Sequence, residues 1–156
     1  MAIMKFNLRS TLPQSPAKFA GLRIIRFVTA LYMLVMVVRS CIHLFAPDGG
    51  ALSIAGVDIT VAGGDNIVAM FHQWGASQLI LVAVLFVLFF RYPGLTPLIL
   101  LTLASDPVMR AIAGQILPVT TVGTPPGAAL NWPSFGLLMV LFVLSLLERS
   151  PKKAVA

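Results

Sequence analysis

From Leu79 to Phe90 the chain reads LILVAVLFVLFF, with no polar side chain to turn toward water. A helix that crosses about 30 Å of hydrocarbon needs about 20 mostly apolar residues. The run completes one such segment, spanning residues 66–90, and three more follow the same rule at 22–46, 95–118 and 131–147. Composition agrees. The chain is 58% hydrophobic and 10% charged, with a mean hydropathy of +0.96, whereas soluble domains carry roughly 25% charged residues. A water-soluble fold would lack polar surface, so the chain is read as an all-α membrane protein, a four-transmembrane-helix bundle forming one domain. The break RYPG, Arg91–Gly94, predicts a tight turn between the second and third spans. The fourth opens with NWP, where Pro133 suits a first helical turn and Trp132 the membrane interface.

Basic residues set the orientation. Lys5, Arg9, Lys18, Arg23 and Arg26 lie before or at the start of the first span, and Arg91 lies in the tight turn. Arg149, Lys152 and Lys153 follow the fourth span. Nine of the eleven Lys and Arg thus fall on one side. The two other loops, 47–65 and 119–130, carry no Lys or Arg, and the first holds Asp48, Asp58 and Asp65. Both termini are expected in the cytoplasm of a bacterial inner membrane. Residues 1–21 would form a cytoplasmic segment, 22–148 the membrane domain and 149–156 a basic tail. The net charge of +6 is accounted for by topology, which argues against nucleic acid. The first twenty residues hold prolines and scattered charge but no apolar run. This predicts no cleaved signal peptide, leaving the first span as the targeting signal.

The first outer loop contains LSI-AG-VDITV, which predicts a short outer β-hairpin around Ala55-Gly56. An irregular loop is the alternative, because isolated hairpins are marginal. The second outer loop, VTTVGTPPGAAL, is expected to be an ordered turn or partial lid and not a helix.

Arg39, Asp106 and Arg110 lie inside predicted spans, where a charge costs at least about 2.5–3.5 kcal/mol and usually faces protein or trapped water. At 1.5 Å per residue, Arg39, Gln78, Asp106 and Arg110 come out about 16–22 Å from the cytoplasmic edge. His43 and His72 lie nearer the outer surface. Asp106 and Arg110, at i and i+4, share a face. Tyr32, Met36, Arg39 and His43 form one stripe, and Trp74 and Gln78 another. Arg39, Asp106 and Arg110 are expected to converge inside the bundle, with Gln78 in reach. Three readings follow. The charges are a buried polar staple that sets helix register. Alternatively, two guanidiniums facing one carboxylate form a positive site beneath the histidines, suited to a lipid headgroup or a quinone oxygen. Or Asp106 and the histidines relay protons. The candidate ligand-binding set is Arg39, His43, His72, Gln78, Asp106 and Arg110.

No metal site is expected, because two histidines without a thiolate pair fall short of the usual three or four ligands. Cys41 is the only cysteine, which excludes an intrachain disulfide and reads as a small packing residue. The pairs Gly49-Gly50 and Gly63-Gly64 lack the spacing of a phosphate-binding loop. Pro107 is expected to kink the third span and free a carbonyl about a turn earlier. No catalytic set is legible.

The stretches HLFAPDGGA, FHQWGASQL, DPVMRAIAGQILP and GTPPGAALN, on this four-span layout, resemble the DoxX-like group of small bacterial membrane proteins, close to its uncharacterised relatives. The likeness covers about Arg23 to Leu147. An acid four residues before an arginine in those relatives is similar to Asp106 and Arg110. The resemblance implies a four-helix fold and, since some members accompany quinone-linked redox complexes, a role as a small membrane subunit whose electrons come from a partner. The leading expectation is a non-enzymatic component that binds membrane lipid, a quinone or a partner protein and carries no cofactor of its own. An oligomeric transporter or proton conductor is a further alternative, one that four spans without an inverted repeat would reach only as a homo-oligomer.

Overall fold

A computed structural model of the chain describes residues 4–149. Lys152 and Lys153 of the predicted basic tail lie outside the described residues. Helix α1 spans Arg23–Phe45, α2 Gly64–Arg91 and α3 Thr96–Ile116. A single turn, α4, covers Pro126–Ala129, and α5 covers Asn131–Ser145. Two short strands, β1 (Met4–Phe6) and β2 (Leu147–Arg149), lie near the two ends of the described chain. Three helical segments, Arg23–Phe45, Gly64–Arg91 and Pro93–Ile116, are long and apolar enough to cross a membrane. The fourth predicted span is shorter than expected: α5 has 15 residues and stops at Ser145, before Leu147 enters β2.

Helix α1 packs along α2, and α3 along α5. Ile25 and Met33 of α1, Val82, Leu85 and Phe89 of α2, Ile99, Leu100 and Leu103 of α3, and Leu138 and Leu141 of α5 make one buried cluster. The opposite faces are apolar too. Ile24, Phe27, Leu31, Leu34 and Val38 recur at helical spacing along α1, and Ile80, Val84 and Val87 along α2, all about half exposed or more. In water these stripes would exceed the apolar patch a monomer tolerates. In hydrocarbon they meet a solvent of their own kind, and close packing has to hold the helices together. Gly75 shows how close. A Cβ at this position would lie 2.7 Å from the Leu44 amide nitrogen and 2.8 Å from the His43 carbonyl carbon. The missing side chain is what lets α2 approach the α1 backbone.

At the end where the described residues begin and end, β1 pairs antiparallel with β2, with Lys5 opposite Glu148 and Phe6 opposite Leu147. The Glu148 carboxylate accepts hydrogen bonds from Asn7 Nδ2 (3.1 Å) and from the Ser10 hydroxyl. The following segment crosses beneath the α2–α3 turn, where the Gly94 amide donates to the Pro16 carbonyl at 2.8 Å. The RYPG break is that turn: α2 ends at Arg91, and Pro93–Leu95 forms one 3-10 turn before α3.

The loop end corrects the expected hairpin. No strand pair forms around Ala55-Gly56. The Asp48 carboxylate accepts from the Gly50 amide at 2.9 Å and the Ser53 amide at 2.7 Å, and this winds the segment into successive turns. The Gly50 carbonyl then accepts from Ile54 and Ala55. Val57 instead bridges Thr121 of the other loop, and the Val122 amide donates to the Gly56 carbonyl at 2.8 Å. The second loop, expected to be free of helix, contains the single turn α4.

Candidate functional site

The loops meet over a cavity of about 520 Å³ bounded by the loop-end halves of α1, α2 and α3 and the start of α5. Its wall is largely apolar, with Ile54, Val57, Phe71, Trp74, Pro118 and Trp132 among its residues. Arg39, His43 and Arg110 line it, and no Asp or Glu does.

Each of the three is placed by its helix. On α1, Arg39 and His43 stand one turn apart on the face turned toward α2. Arg39 lies over the Trp74 ring at 4.8 Å and has one weak contact, Met36 sulfur at 4.0 Å. No carboxylate lies within ion-pair distance of it among the described residues. The expectation that Arg39 would share Asp106 therefore gives way to an aromatic contact, in which the ring face attracts the cation. Arg110 Nε is 3.3 Å from Asp106 Oδ2 within α3. The N–H does not point at the carboxylate well enough to make a hydrogen bond, and Nε is buried without a partner.

His43 is 2% exposed and packs against Trp74 and Phe71, with ring centroids at 4.7 and 5.6 Å. Its Nδ1 lies 2.8 Å from the Gly49 carbonyl. A carbonyl only accepts, so Nδ1 carries the proton. Gly49 supplies that carbonyl from a turn at φ 58°, a conformation glycine adopts without strain. Asp48, beside it, is held well below the ordinary carboxylate value, at about 2, chiefly by the Ser53 amide. Asp58 is likewise lowered, by the hydroxyl and amide of Thr60.

The other predicted residues lie outside the cavity wall. His72 donates from Nδ1 to the Leu44 carbonyl at 2.9 Å, tying α2 to the end of α1. Gln78 does not line the cavity, and its Oε1 is buried without a partner among the described residues. Asp106 contributes only through Arg110. Among the described residues no three His, Cys, Asp or Glu lie close enough to hold a metal ion.

Several wall residues escaped sequence reasoning. Trp74 carried a signal in its shared face with Gln78, and Phe71 lies one turn before it. Asn131 carried little, being a lone amide at the head of an apolar span. It donates from Nδ2 to the Pro107 carbonyl at 2.9 Å, joining α5 to α3, while its Oδ1 is buried without a partner. Helix α3 continues through Pro107. Comparison with family models, with curated proteins and with solved structures finds no match to the chain.

Proposed function

We propose that the chain crosses a bacterial inner membrane four times with both termini in the cytoplasm, and that its loop-end cavity binds a small lipid-like or quinone-like molecule from the outer leaflet. Helix α5 is the short fourth crossing. Its 15 residues span about 22 Å, and local thinning of the bilayer takes up the mismatch. The one-sided distribution of Lys and Arg supports the orientation.

One observation carries the binding reading. Two guanidiniums line a cavity of about 520 Å³ whose wall holds no carboxylate. The volume falls in the range of small-molecule sites, about 300–1,000 Å³, and the wall has the usual character of such sites, apolar with a few convergent polar groups. Arginine cannot lose its charge to relieve burial, so an anionic or carbonyl oxygen from a ligand is the natural counterpart. The resemblance of DPVMRAIAGQILP to the DoxX-like group supports a second reading, in which the bound molecule is a quinone and the chain is an accessory subunit of a redox complex.

Native mass spectrometry of the protein released from mild detergent tests the proposal. The unsubstituted chain should retain a small molecule that Arg39→Met loses. A bare mass for both, with no thermal stabilisation by lipid or quinone extract, would overturn it.

A further inference from the structure

The cavity offers a hydrogen-bond acceptor as well as cations, and this narrows the ligand. His43, in the wall, has committed its Nδ1 proton to the Gly49 carbonyl at 2.8 Å. The neutral ring then has a lone pair on Nε2 and no proton there. Asn131, also in the wall, faces the Pro107 carbonyl with one side-chain atom, which must be its NH₂ because a carbonyl cannot donate. Its Oδ1 is buried without a partner among the described residues and is closed off from the cavity. Among the described residues the guanidinium of Arg39 meets a sulfur and a ring face and no carboxylate, and that of Arg110 has one poorly aimed carboxylate, Asp106, beside it. The Arg39 and Arg110 guanidiniums and the His43 lone pair thus border one apolar chamber.

We infer that the ligand is a phosphate that also bears a hydroxyl: a phosphate-type oxygen for Arg39 and Arg110, and an O–H for His43 Nε2. This rests on the reading of the cavity as a ligand site and deepens it. An oxidised quinone fits less well, because its carbonyls accept but cannot donate and would leave the His43 acceptor unpaired. A buried acceptor without a donor is the costly case. A phosphate ester without a hydroxyl would satisfy the arginines alone. The shared chemistry is a hydroxylated phosphate, supplied either by a lipid headgroup or by a free polyol phosphate.

The test is binding to the purified full chain in detergent with four defined probes. Phosphatidylglycerol has the charge and the hydroxyls, phosphatidylmethanol has the charge alone, an oxidised quinone has neither, and glycerol phosphate has the headgroup without chains. Phosphatidylglycerol should bind about tenfold tighter than phosphatidylmethanol, the scale of one added hydrogen bond to an otherwise unpaired acceptor. The His43→Phe variant should shrink that ratio, while Arg39→Met weakens both lipids alike. Phosphatidylglycerol binding well above glycerol phosphate supports the inference with a lipid as the source, and comparable binding supports it with the free phosphate. Equal binding of the two anionic lipids, or a preference for the quinone, overturns the inference and leaves the cavity as a ligand site. No response to any probe overturns the cavity reading as well. The comparison on the unsubstituted chain decides these outcomes even where His43→Phe does not fold.

Discussion

Two arginine sites at opposite ends of the helices differ in what surrounds them. Arg26, near the terminal end of α1, donates to the Pro93 carbonyl at 3.2 Å, the Thr96 hydroxyl at 2.9 Å and the Phe89 carbonyl at 2.9 Å. It also lies over the Phe89 ring at 3.9 Å. Phe89 lies in the last turn of α2, whose carbonyls a helix C-terminus leaves for a cation to satisfy, and the Pro93 carbonyl also accepts from the Thr96 amide and hydroxyl. Arg39 and Arg110, by contrast, have a sulfur, a ring face and one poorly aimed carboxylate between them. A guanidinium saturated by its own chain is a structural clamp. One left under-satisfied beside a cavity has its donors available to something else. Sequence reading had placed Arg26 among the residues that set topology and had singled out only the other two.

That contrast can be broken by substitution. The largest expected effect is at the saturated site. Arg26→Met removes the shared donor of two backbone carbonyls and should destabilise the protein by about 3 kcal/mol, since each hydrogen bond to a charged group contributes about 1.5–3 kcal/mol and neighbouring terms do not add fully. Thermal unfolding in detergent reads this. Any ligand-dependent stabilisation should persist in the variant at temperatures where it is folded. Next is Gly75→Ala, which forces a methyl group against the α1 backbone and should cost about 1–3 kcal/mol. Because it shifts His43 and Trp74 together, it should also weaken ligand binding, unlike Arg26→Met. Arg39→Met should change stability in the absence of ligand by less than about 1 kcal/mol, since it breaks no ion pair and leaves an apolar side chain against Trp74.

The smallest effect concerns the loop over the cavity. Asp48 has a folded pKa of about 2 against an ordinary 3.8. A depressed carboxylate stabilises the fold above its unfolded value, and that contribution is lost as pH falls from about 4 to about 2. Asp48 is only partly buried, so screening keeps the effect small. Hydrogen exchange of the Gly50 and Ser53 amides should quicken, relative to their intrinsic rates, over that interval, while the α2–α3 turn around Arg26 stays protected.

Much of the helical layout was legible because hydrocarbon length and Pro-Gly punctuation are strong constraints. Predicted starts at residues 22, 66, 95 and 131 fall within two residues of Arg23, Gly64, Thr96 and Asn131. The β1–β2 pair was not legible, since MKF and LER are three-residue segments far apart in the chain with no alternating pattern to match. The hairpin prediction weighed side-chain alternation and overlooked Asp48, whose carboxylate competes for the Gly50 and Ser53 amides and bends the backbone before a strand can form. At the candidate site, helical spacing placed Arg39, His43 and Arg110 on faces that share one cavity, but it did not fix which side chains meet across helices. Gln78 stays out of the cavity wall, and Arg39 lies over Trp74 with no carboxylate at ion-pair distance among the described residues.

The central claim is that the surplus of positive charge at the loop end holds a ligand. The most direct measurement compares native masses of the unsubstituted chain and the triple variant Arg39→Met, Asp106→Asn, Arg110→Met, which removes both cations without stranding a carboxylate. The account predicts that the unsubstituted chain carries a bound anionic species, that the triple variant folds with similar stability, and that the variant's mass is that of the bare polypeptide. The same species retained by the triple variant would contradict it.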